Sequence, residues 1–187
     1  MIYPVTVYGD QVLRKKAQPV DENYEGLNDI IQNLWETMNH SDGVGLAAPQ
    51  VGLSIRVFVV DASSGADEEP ELKDFKKVFI NPEIISATGT DWIMNEGCLS
   101  LPDIREDVKR PDEVRIKYHD ENFELHEEVY RGYAGRIIQH EYDHLEGKLF
   151  IDYLSPLRKR LLKGKLMNIA TGKVQPHYKI KIPVRSV

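Results

Sequence analysis

The sequence contains very little cysteine, and this limits how the fold is stabilised. Cys98 is the only cysteine in the 187-residue chain, which excludes an intrachain disulfide. A domain of this length buries roughly 70% of its unfolded surface and needs no disulfide to fold. The lone thiol therefore fits a reducing compartment, or a cysteine that is retained for its chemistry.

Long apolar segments and a secretory leader are also missing. No stretch approaches the roughly 20 apolar residues that span a bilayer. The N-terminus lacks a basic segment followed by an apolar one, so we predict no signal peptide. We therefore expect a cytoplasmic protein with no membrane contact.

Acidic residues are missing from the C-terminal end of an otherwise acidic chain. The formal net charge is −6, yet the residues after Leu154 include nine Lys and Arg and neither Asp nor Glu. Such asymmetry is typical of contact with nucleic acid or another polyanion, and equally of a solvated face that neutralises an acidic body. We expect one catalytic domain over residues 1–154, with the basic segment 155–187 packed on it.

Hydrophobic periodicity predicts three helices. The first covers residues 25–39, and the second covers 132–146 with Gly147 as its C-cap. The third begins at Ser155, because a serine followed by proline is a favourable helix start, and we expect it to stop at Gly164. The residues expected to dock this third helix on the body are Leu157, Leu161 and Leu162.

Short apolar segments bounded by turn residues predict strands. The predicted strands span residues 55–60, 78–81, 83–88, 114–119, 123–130 and 178–184. Pro82 separates the second from the third, and the fourth and fifth form a hairpin. Residues 62–74, rich in Ser, Gly, Asp and Glu, predict a mobile surface insertion. Strands followed by a buried helix favour an α+β fold, with mixed or antiparallel sheets packed around that central helix.

The second helix carries the most informative residues of the chain. His140 and His144 stand at positions i and i+4, so both imidazoles can reach one cation from a single helix face. Glu141 lies about 100° around the helix, within reach of a metal-bound water without being a ligand. The simpler interpretation is that both histidines are hydrogen-bonded in the core. Burial of the carboxylate would then carry a desolvation penalty without a functional gain.

The spacing does not identify a third metal ligand. No glutamate follows Glu146, which excludes the later-helix glutamate of many metalloproteases, and Phe150 replaces the histidine of the longer protease pattern. A thiolate is a strong metal ligand, and the glycine before Cys98 permits close backbone approach. The candidates are Cys98, Asp152, His40, His119, His126 and His177.

Three segments together resemble the peptide deformylase family, and they occur in the family's order. They are Gly-Val-Gly-Leu-Ala-Ala-Pro-Gln at 43–50, Glu-Gly-Cys-Leu-Ser at 96–100 and Gln-His-Glu-Tyr-Asp-His at 139–144. The stretch 3–15 is similar as well, so the resemblance covers about residues 1–155. It implies a metal-dependent hydrolase that removes the formyl group from the N-terminal formyl-methionine of nascent polypeptides and releases formate.

The resemblance also implies a catalytic site. One divalent metal ion, Fe(II) in most family members and zinc, nickel or cobalt in others, would be held by Cys98, His140 and His144. Glu141 would take a proton from the water that the metal activates and deliver it to the leaving amine. The side-chain amide of Gln50 and the backbone N–H of Leu99 would donate hydrogen bonds to the tetrahedral oxyanion.

Substrate contacts follow from the same resemblance. The implied substrate-binding residues are Val44, Gly45, Gly97, Arg105 and Tyr133, with Ile137 as an additional lining residue for which core packing is equally plausible. The loop that contains Gly45 would pass along the substrate. Arg105 would lie near the substrate backbone, although an exposed salt bridge explains it equally well. The implied partners are formyl-methionyl nascent peptides and, through the basic C-terminus, the ribosome.

Three other functions would use some of the same residues. A metallopeptidase that cleaves internal amide bonds shares the His-Glu-His helix but usually takes a different third ligand. A cysteine-nucleophile hydrolase would use Cys98 activated by a histidine, and it would not depend on metal. A metal-containing RNA-binding module would use the basic C-terminus, but it would need neither Glu141 nor Gln50.

Overall fold

Two β-sheets and three α-helices make up the chain in this computed structural model, which describes residues 1–183. The strands are β1 (Val5–Thr6), β2 (Gly45–Ala47), β3 (Val57–Asp61), β4 (Lys76–Cys98), β5 (Leu101–His119), β6 (Leu125–Arg131) and β7 (Ile180–Lys181). The helices are α1 (Leu27–His40), α2 (Gly132–Leu145) and α3 (Pro156–Ala170). Strands β2 to β6 form one antiparallel sheet in sequence order, and β1 pairs in parallel with β7. The predicted α+β class with antiparallel strands is confirmed.

Strand β3 lies between two helices, which explains why it is apolar on both faces. Phe58 and Val60 belong to the core cluster around α2, whereas Val57 and Val59 belong to the cluster around α1. Successive side chains of a strand point to opposite faces, so this one strand contributes to both cores. Helix α2 is buried along most of its length, as predicted, and both helices begin and end within two residues of the predicted bounds.

The predicted strand break at Pro82 is wrong. The strand continues through this proline, and the pairing with β5 shifts in register between Ile80 and Glu83. Proline has no N–H to donate to the ladder, so it is tolerated at such an irregularity. The β4–β5 pairing then extends as far as Cys98 opposite Leu101, and it therefore includes long stretches that the sequence did not predict as strand. The β5–β6 hairpin is confirmed.

The predicted mobile insertion, residues 62–74, instead packs against α2. It contains two short 3₁₀ turns, and Leu72 is buried in the core cluster that includes α2. The Glu69 carboxylate accepts a hydrogen bond from the Tyr133 N–H in the first turn of α2 (2.9 Å). A carboxylate at a helix N-terminus is favourable because it satisfies free N–H groups and complements the helix dipole. Glu69, one of the acidic residues of this segment, therefore stabilises the N-terminus of α2.

Helix α3 continues beyond its predicted end at Gly164 and docks through different residues. Leu162, Leu166 and Ile169 are buried, in a cluster that also contains residues of β5. A glycine inside a helix costs about 1 kcal/mol, which is less than the gain from burying two further apolar side chains. The prediction for Leu157 and Leu161 is wrong, because both are 63% exposed.

The C-terminal segment returns to the start of the chain. Of the predicted strand 178–184, only Ile180–Lys181 is strand, paired with Val5 and Thr6; residue 184 lies outside the described part of the chain. None of the helices within residues 1–183 combines the length and the apolar character that a membrane span requires.

Candidate active site

Helix α2 places two histidines and a carboxylate next to each other inside the protein. The ring centroids of His140 and His144 are 5.2 Å apart, as expected for positions one turn apart on a helix face. His140, Glu141 and His144 are exposed by no more than 9%. His140 and Glu141 also line a cavity, so this buried polar group is adjacent to a space that a ligand can enter.

The turn between β4 and β5 brings Cys98 to these histidines. The Cys98 Sγ lies 3.3 Å from the His144 Nε2, and one potential ligand atom from each of Cys98, His140 and His144 lies within 4.8 Å of the others. Three other third-ligand candidates have different partners: Asp152 pairs with Arg14, His126 with Asp120 and His177 with Asp42. One thiol and two imidazoles in reach of a common point fit a divalent transition metal.

A second group, Asp120, Glu124 and His126, has similar spacing at the β5–β6 turn. Asp120 there already accepts hydrogen bonds from two backbone N–H groups and lies 2.8 Å from the His126 Nε2. This group is an internally paired turn and lies outside the cavity.

A buried network of charges orients His140. The His140 Nδ1 lies 2.9 Å from a Glu96 carboxylate oxygen, and Glu96 also pairs with Arg110 (2.7 Å) and Arg136 (2.9 Å). Burial raises the pKa of Glu96, but hydrogen bonds from His140 and Arg110 outweigh it and hold the pKa well below its ordinary value. A carboxylate only accepts, so Nδ1 carries a proton and Nε2 is the ring nitrogen that remains to bind a metal. This is the usual support of a metal-binding histidine.

Arg110 extends this network to the helix. Its guanidinium bridges Glu96 and Asp143, with 2.7 Å to the Asp143 carboxylate. Arg136, which also lines the cavity, was missed, because an arginine within an apolar helix has no local signature.

The Glu141 side chain occupies the space that a side chain at Gly45 would need. A Cβ added to Gly45 would lie 2.5 Å from Oε1 of Glu141, so any other residue at this position would require the Glu141 side chain to move. The other oxygen, Oε2, has no hydrogen-bond partner within the described residues. Burial raises the pKa of Glu141 to about 7, which suits a group that exchanges protons near neutral pH.

Gln50 and Leu99 complete the polar side of the cavity. The Gln50 Oε1 accepts a hydrogen bond from the Ala47 N–H (2.8 Å), which turns Nε2 toward the Cys98 Sγ at 3.4 Å. Nε2 is also 3.4 Å from the Ser100 hydroxyl. Leu99 follows Cys98 in the β4–β5 turn. The side-chain amide of Gln50 is thus fixed with a donor facing the thiol.

The cavity next to these groups has a volume of about 650 Å³. The predicted substrate-binding residues Val44, Gly45, Gly97, Arg105 and Tyr133 all line it, as does Ile137. The predicted alternative of a salt bridge at Arg105 is not found among the described residues; its guanidinium donates instead to the side chain and carbonyl of Asn95.

The C-terminal segment contributes a part of the cavity that sequence reasoning missed. Gln175, Pro176, His177 and Tyr178 line it, about 75 residues after the turn that holds Cys98. The Tyr178 hydroxyl donates to the Leu99 carbonyl (2.8 Å). No motif or periodicity marks this segment, so only the strand pairing of β7 with β1 could have located it.

Comparison with known proteins agrees with this geometry. The polypeptide deformylase family model matches residues 2–160. The peptide deformylase of Christiangramia forsetii is 53% identical over 190 residues, which cover 98% of this chain and 97% of the relative. A crystal structure of a peptide deformylase from Legionella pneumophila is 36% identical with a TM-score of 0.81, covering 92% of this chain and 98% of that one.

A further crystal structure shows a class I type b peptide deformylase from Acinetobacter baumannii with Met-Ala-Ser bound. It is 35% identical with a TM-score of 0.73, and the alignment covers 82% of this chain and 99% of that one. Family match, full-length relatives and fold agree with one another, and the chain belongs to the peptide deformylase family.

Proposed function

We propose that this chain hydrolyses the N-formyl amide of formyl-methionyl peptides, releasing formate and a free N-terminal amine. The observation that carries the proposal is the convergence of Cys98, His140 and His144 beside Glu141, in a chain of the peptide deformylase family. The full-length relatives are peptide deformylases, which favours this function over a metallopeptidase that cleaves internal bonds.

We further propose that Cys98, His140 and His144 hold one divalent metal ion, Fe(II) in the native enzyme. Mixed sulfur and nitrogen ligation also suits zinc, nickel and cobalt. When bound, the metal would act as a Lewis acid that polarises the formyl carbonyl and lowers the pKa of water. Glu96 supports the proposal, because it fixes the orientation of His140.

In this proposal Glu141 carries the proton. With its pKa at about 7, the carboxylate can accept a proton from water and return it to the leaving amine near neutral pH. Its lack of a partner at Oε2 within the described residues leaves that oxygen to interact with reactants. Gln50 Nε2 and the Leu99 N–H would donate to the oxyanion, since fixed donors stabilise developing negative charge.

Substrate binding is proposed for the apolar part of the cavity. Val44, Tyr133 and Ile137 would surround the methionine side chain, with Gly45 and Gly97 allowing the peptide backbone to approach. The Met-Ala-Ser complex of the Acinetobacter baumannii relative supports a cavity that accepts several residues of a peptide. The volume of about 650 Å³ is also sufficient for a ligand of that size.

The experiment compares formyl-Met-Ala-Ser with acetyl-Met-Ala-Ser and measures formate release together with metal content. We expect formate from the formyl peptide, no cleavage of the internal bonds and loss of activity with a chelator. The isosteric variant Glu141→Gln should keep its metal and lose most turnover, typically about 10²–10⁴-fold for a general acid–base group. Internal cleavage, or activity that survives metal removal, would contradict the proposal.

Ribosome contact through the basic C-terminus is a separate proposal, which places the enzyme in the cytoplasm beside emerging chains. Arg160, Lys163 and Lys165 are exposed on α3, whereas Arg158 pairs with Glu106 of the body at 2.6 Å. Part of the basic charge therefore neutralises the acidic body, and the exposed remainder could contact RNA phosphates.

The test is cosedimentation with ribosomes at two salt concentrations. The double variant Arg160→Glu with Lys163→Glu should bind less than wild type at low salt, because phosphate contacts depend strongly on salt. A control with the same change of charge elsewhere, Lys73→Glu with Lys117→Glu, should bind as wild type. Equal binding of both double variants would refute the contact.

A further inference from the structure

The segment Gln175–Tyr178 forms one wall of the cavity that contains the reactive groups. Its residues line the same cavity as Glu141 and Cys98. Residues 43–45 and the β4–β5 turn, both assigned here to catalysis and substrate binding, lie beside it. A peptide that extends beyond the inner cavity can therefore contact this segment.

The segment is held in place on both sides. Tyr178 is buried, with 8% of its surface exposed, and its hydroxyl donates to the Leu99 carbonyl at 2.8 Å. On one side Val174 packs on the apolar cluster under α3; on the other, β7 pairs with β1. The wall is thus anchored to the turn that carries the reactive thiol.

His177 links this wall to the loop that precedes Gly45. The His177 Nε2 lies 3.2 Å from the Asp42 carboxylate, and the two side chains are 59% and 85% exposed. Asp42 directly precedes Gly43, at which an added Cβ would lie 3.0 Å from the Leu99 side chain. Both residues line the cavity and are exposed, so the pair stands at its solvent-facing mouth.

We propose that Asp42, in contact with His177 at 3.2 Å, forms a clasp that selects the second and third residues of the substrate peptide. This inference rests on the proposed deformylase function. The inner cavity takes formyl-methionine, and the following residues cross the mouth, which Asp42, His177 and Arg105 line. The His177 ring N–H can donate to one Asp42 oxygen, so in wild type the carboxylate is less available to a basic substrate side chain. Loss of His177 leaves the Asp42 carboxylate free to favour basic side chains, and loss of the Asp42 charge removes that preference.

The experiment measures kcat/KM for formyl-Met-Lys-Ser, formyl-Met-Glu-Ser and formyl-methioninamide. Removing His177 with His177→Ala leaves the Asp42 carboxylate unpaired, so the ratio of the Lys to the Glu peptide should rise about two- to fivefold through KM. Asp42→Asn should lower that ratio by a similar factor, as expected for an exposed charge. Formyl-methioninamide does not reach the mouth, and its turnover should stay at the wild-type value.

Matched controls separate selection from structural damage. Lys179→Ala removes a neighbouring exposed cation that does not line the cavity, and Asp74→Asn removes a distant exposed carboxylate; both should leave the ratio unchanged. His177→Gln keeps a donor for Asp42 and should remain close to wild type.

An unchanged ratio in both clasp variants, or an equal loss on all three substrates, would overturn the inference. If wild type releases no formate from any of the three substrates, the proposed function itself fails. These outcomes are distinguishable within the same data set.

Discussion

At the residue scale, Gly45 and Glu141 share one small space. The strand that lines the cavity approaches the helix so closely that an added Cβ would lie 2.5 Å from the carboxylate. The orientation of the proposed general base is thus set by the absence of a side chain on a neighbouring strand.

We predict that Gly45→Ala lowers kcat at least about 100-fold, the usual scale for removing a general acid–base group, because the methyl group displaces the Glu141 carboxylate. Metal content should be retained, since no proposed ligand is touched. Gly164→Ala is the control, because nothing lies within 4 Å of an added Cβ at that position. Wild-type turnover in Gly45→Ala would show that the contact has no catalytic consequence.

Glu128 provides a pH-dependent contribution to stability outside the cavity. Burial raises the pKa of Glu128, but hydrogen bonds from Tyr118 and Tyr130 and pairing with Lys77 outweigh it and lower the pKa below 4.5. A carboxylate with a lowered pKa in the folded state stabilises the protein above its unfolded pKa and loses that contribution as pH falls through the folded pKa.

We therefore predict that the stability of wild type declines below about pH 4.5 more steeply than that of Glu128→Gln. The measurement is urea unfolding between pH 7 and pH 3. The variant should be less stable than wild type at pH 7, and the difference should shrink as the pH falls. A difference that stays constant with pH would contradict the assignment.

At the element scale, helix α3 shows how tertiary burial overrides a local stop signal. Gly164 lies in the middle of the helix, where no neighbour contacts it, while Leu166 and Ile169 beyond it are buried. The periodic helices α1 and α2 were predicted well because their apolar stripes coincide with the core. For α3, the exposed Leu157 and Leu161 made the pattern misleading, so the buried face of the helix was not identified correctly.

We predict that Gly164→Ala raises the free energy of unfolding by about 0.5–1 kcal/mol, because alanine loses less backbone entropy in a helix. Urea unfolding would measure the change, with formate release as the check on function. If Gly164→Ala instead lowered the free energy of unfolding, the added methyl group would have to clash with a neighbour that the structure does not place there.

Other elements were mispredicted for related reasons. Pro82 predicted a break in β4, yet a shift in register accommodates the proline. The acidic composition of residues 62–74 predicted mobility, yet Glu69 bonds the N-terminus of α2 and Leu72 enters the core. Both signals were interpreted locally, whereas each feature is resolved by a partner distant in the sequence.

At the scale of the whole molecule, the C-terminal segment belongs to the body of the protein. Leu162, Leu166 and Ile169 are at most 8% exposed and share a cluster with Leu101 of β5. Truncating one such side chain typically lowers the free energy of unfolding by about 2–5 kcal/mol. The total free energy of unfolding of a domain is only about 5–15 kcal/mol, so loss of all three would remove most of it.

We predict that a chain ending at Leu154 shows no cooperative thermal unfolding transition, whereas full-length Arg160→Glu with Lys163→Glu unfolds close to wild type. Circular dichroism during heating measures both. A truncated chain with a wild-type midpoint would show that α3 is dispensable for the fold. Ribosome binding is therefore better tested with the charge variants than with truncation.

The sequence by itself determined the parts of this protein that are local or compositional. The i, i+4 spacing of His140 and His144 is enough to place two imidazoles on one face, because helix geometry is fixed over one turn. The single thiol was one of six candidates for a third ligand, and three ordered motifs indicated the family. These features require no knowledge of what packs against what.

Only the tertiary structure decided the contacts between distant segments. The chain had to fold before Glu96 could meet His140 or Glu141 could fill the space beside Gly45. Tyr178 reaches the Leu99 carbonyl across 79 residues of sequence. Periodicity describes one element at a time and carries no information about which distant element will lie beside it. The wall and the mouth of the cavity could therefore not be predicted from the sequence, because they form only when the strands pair.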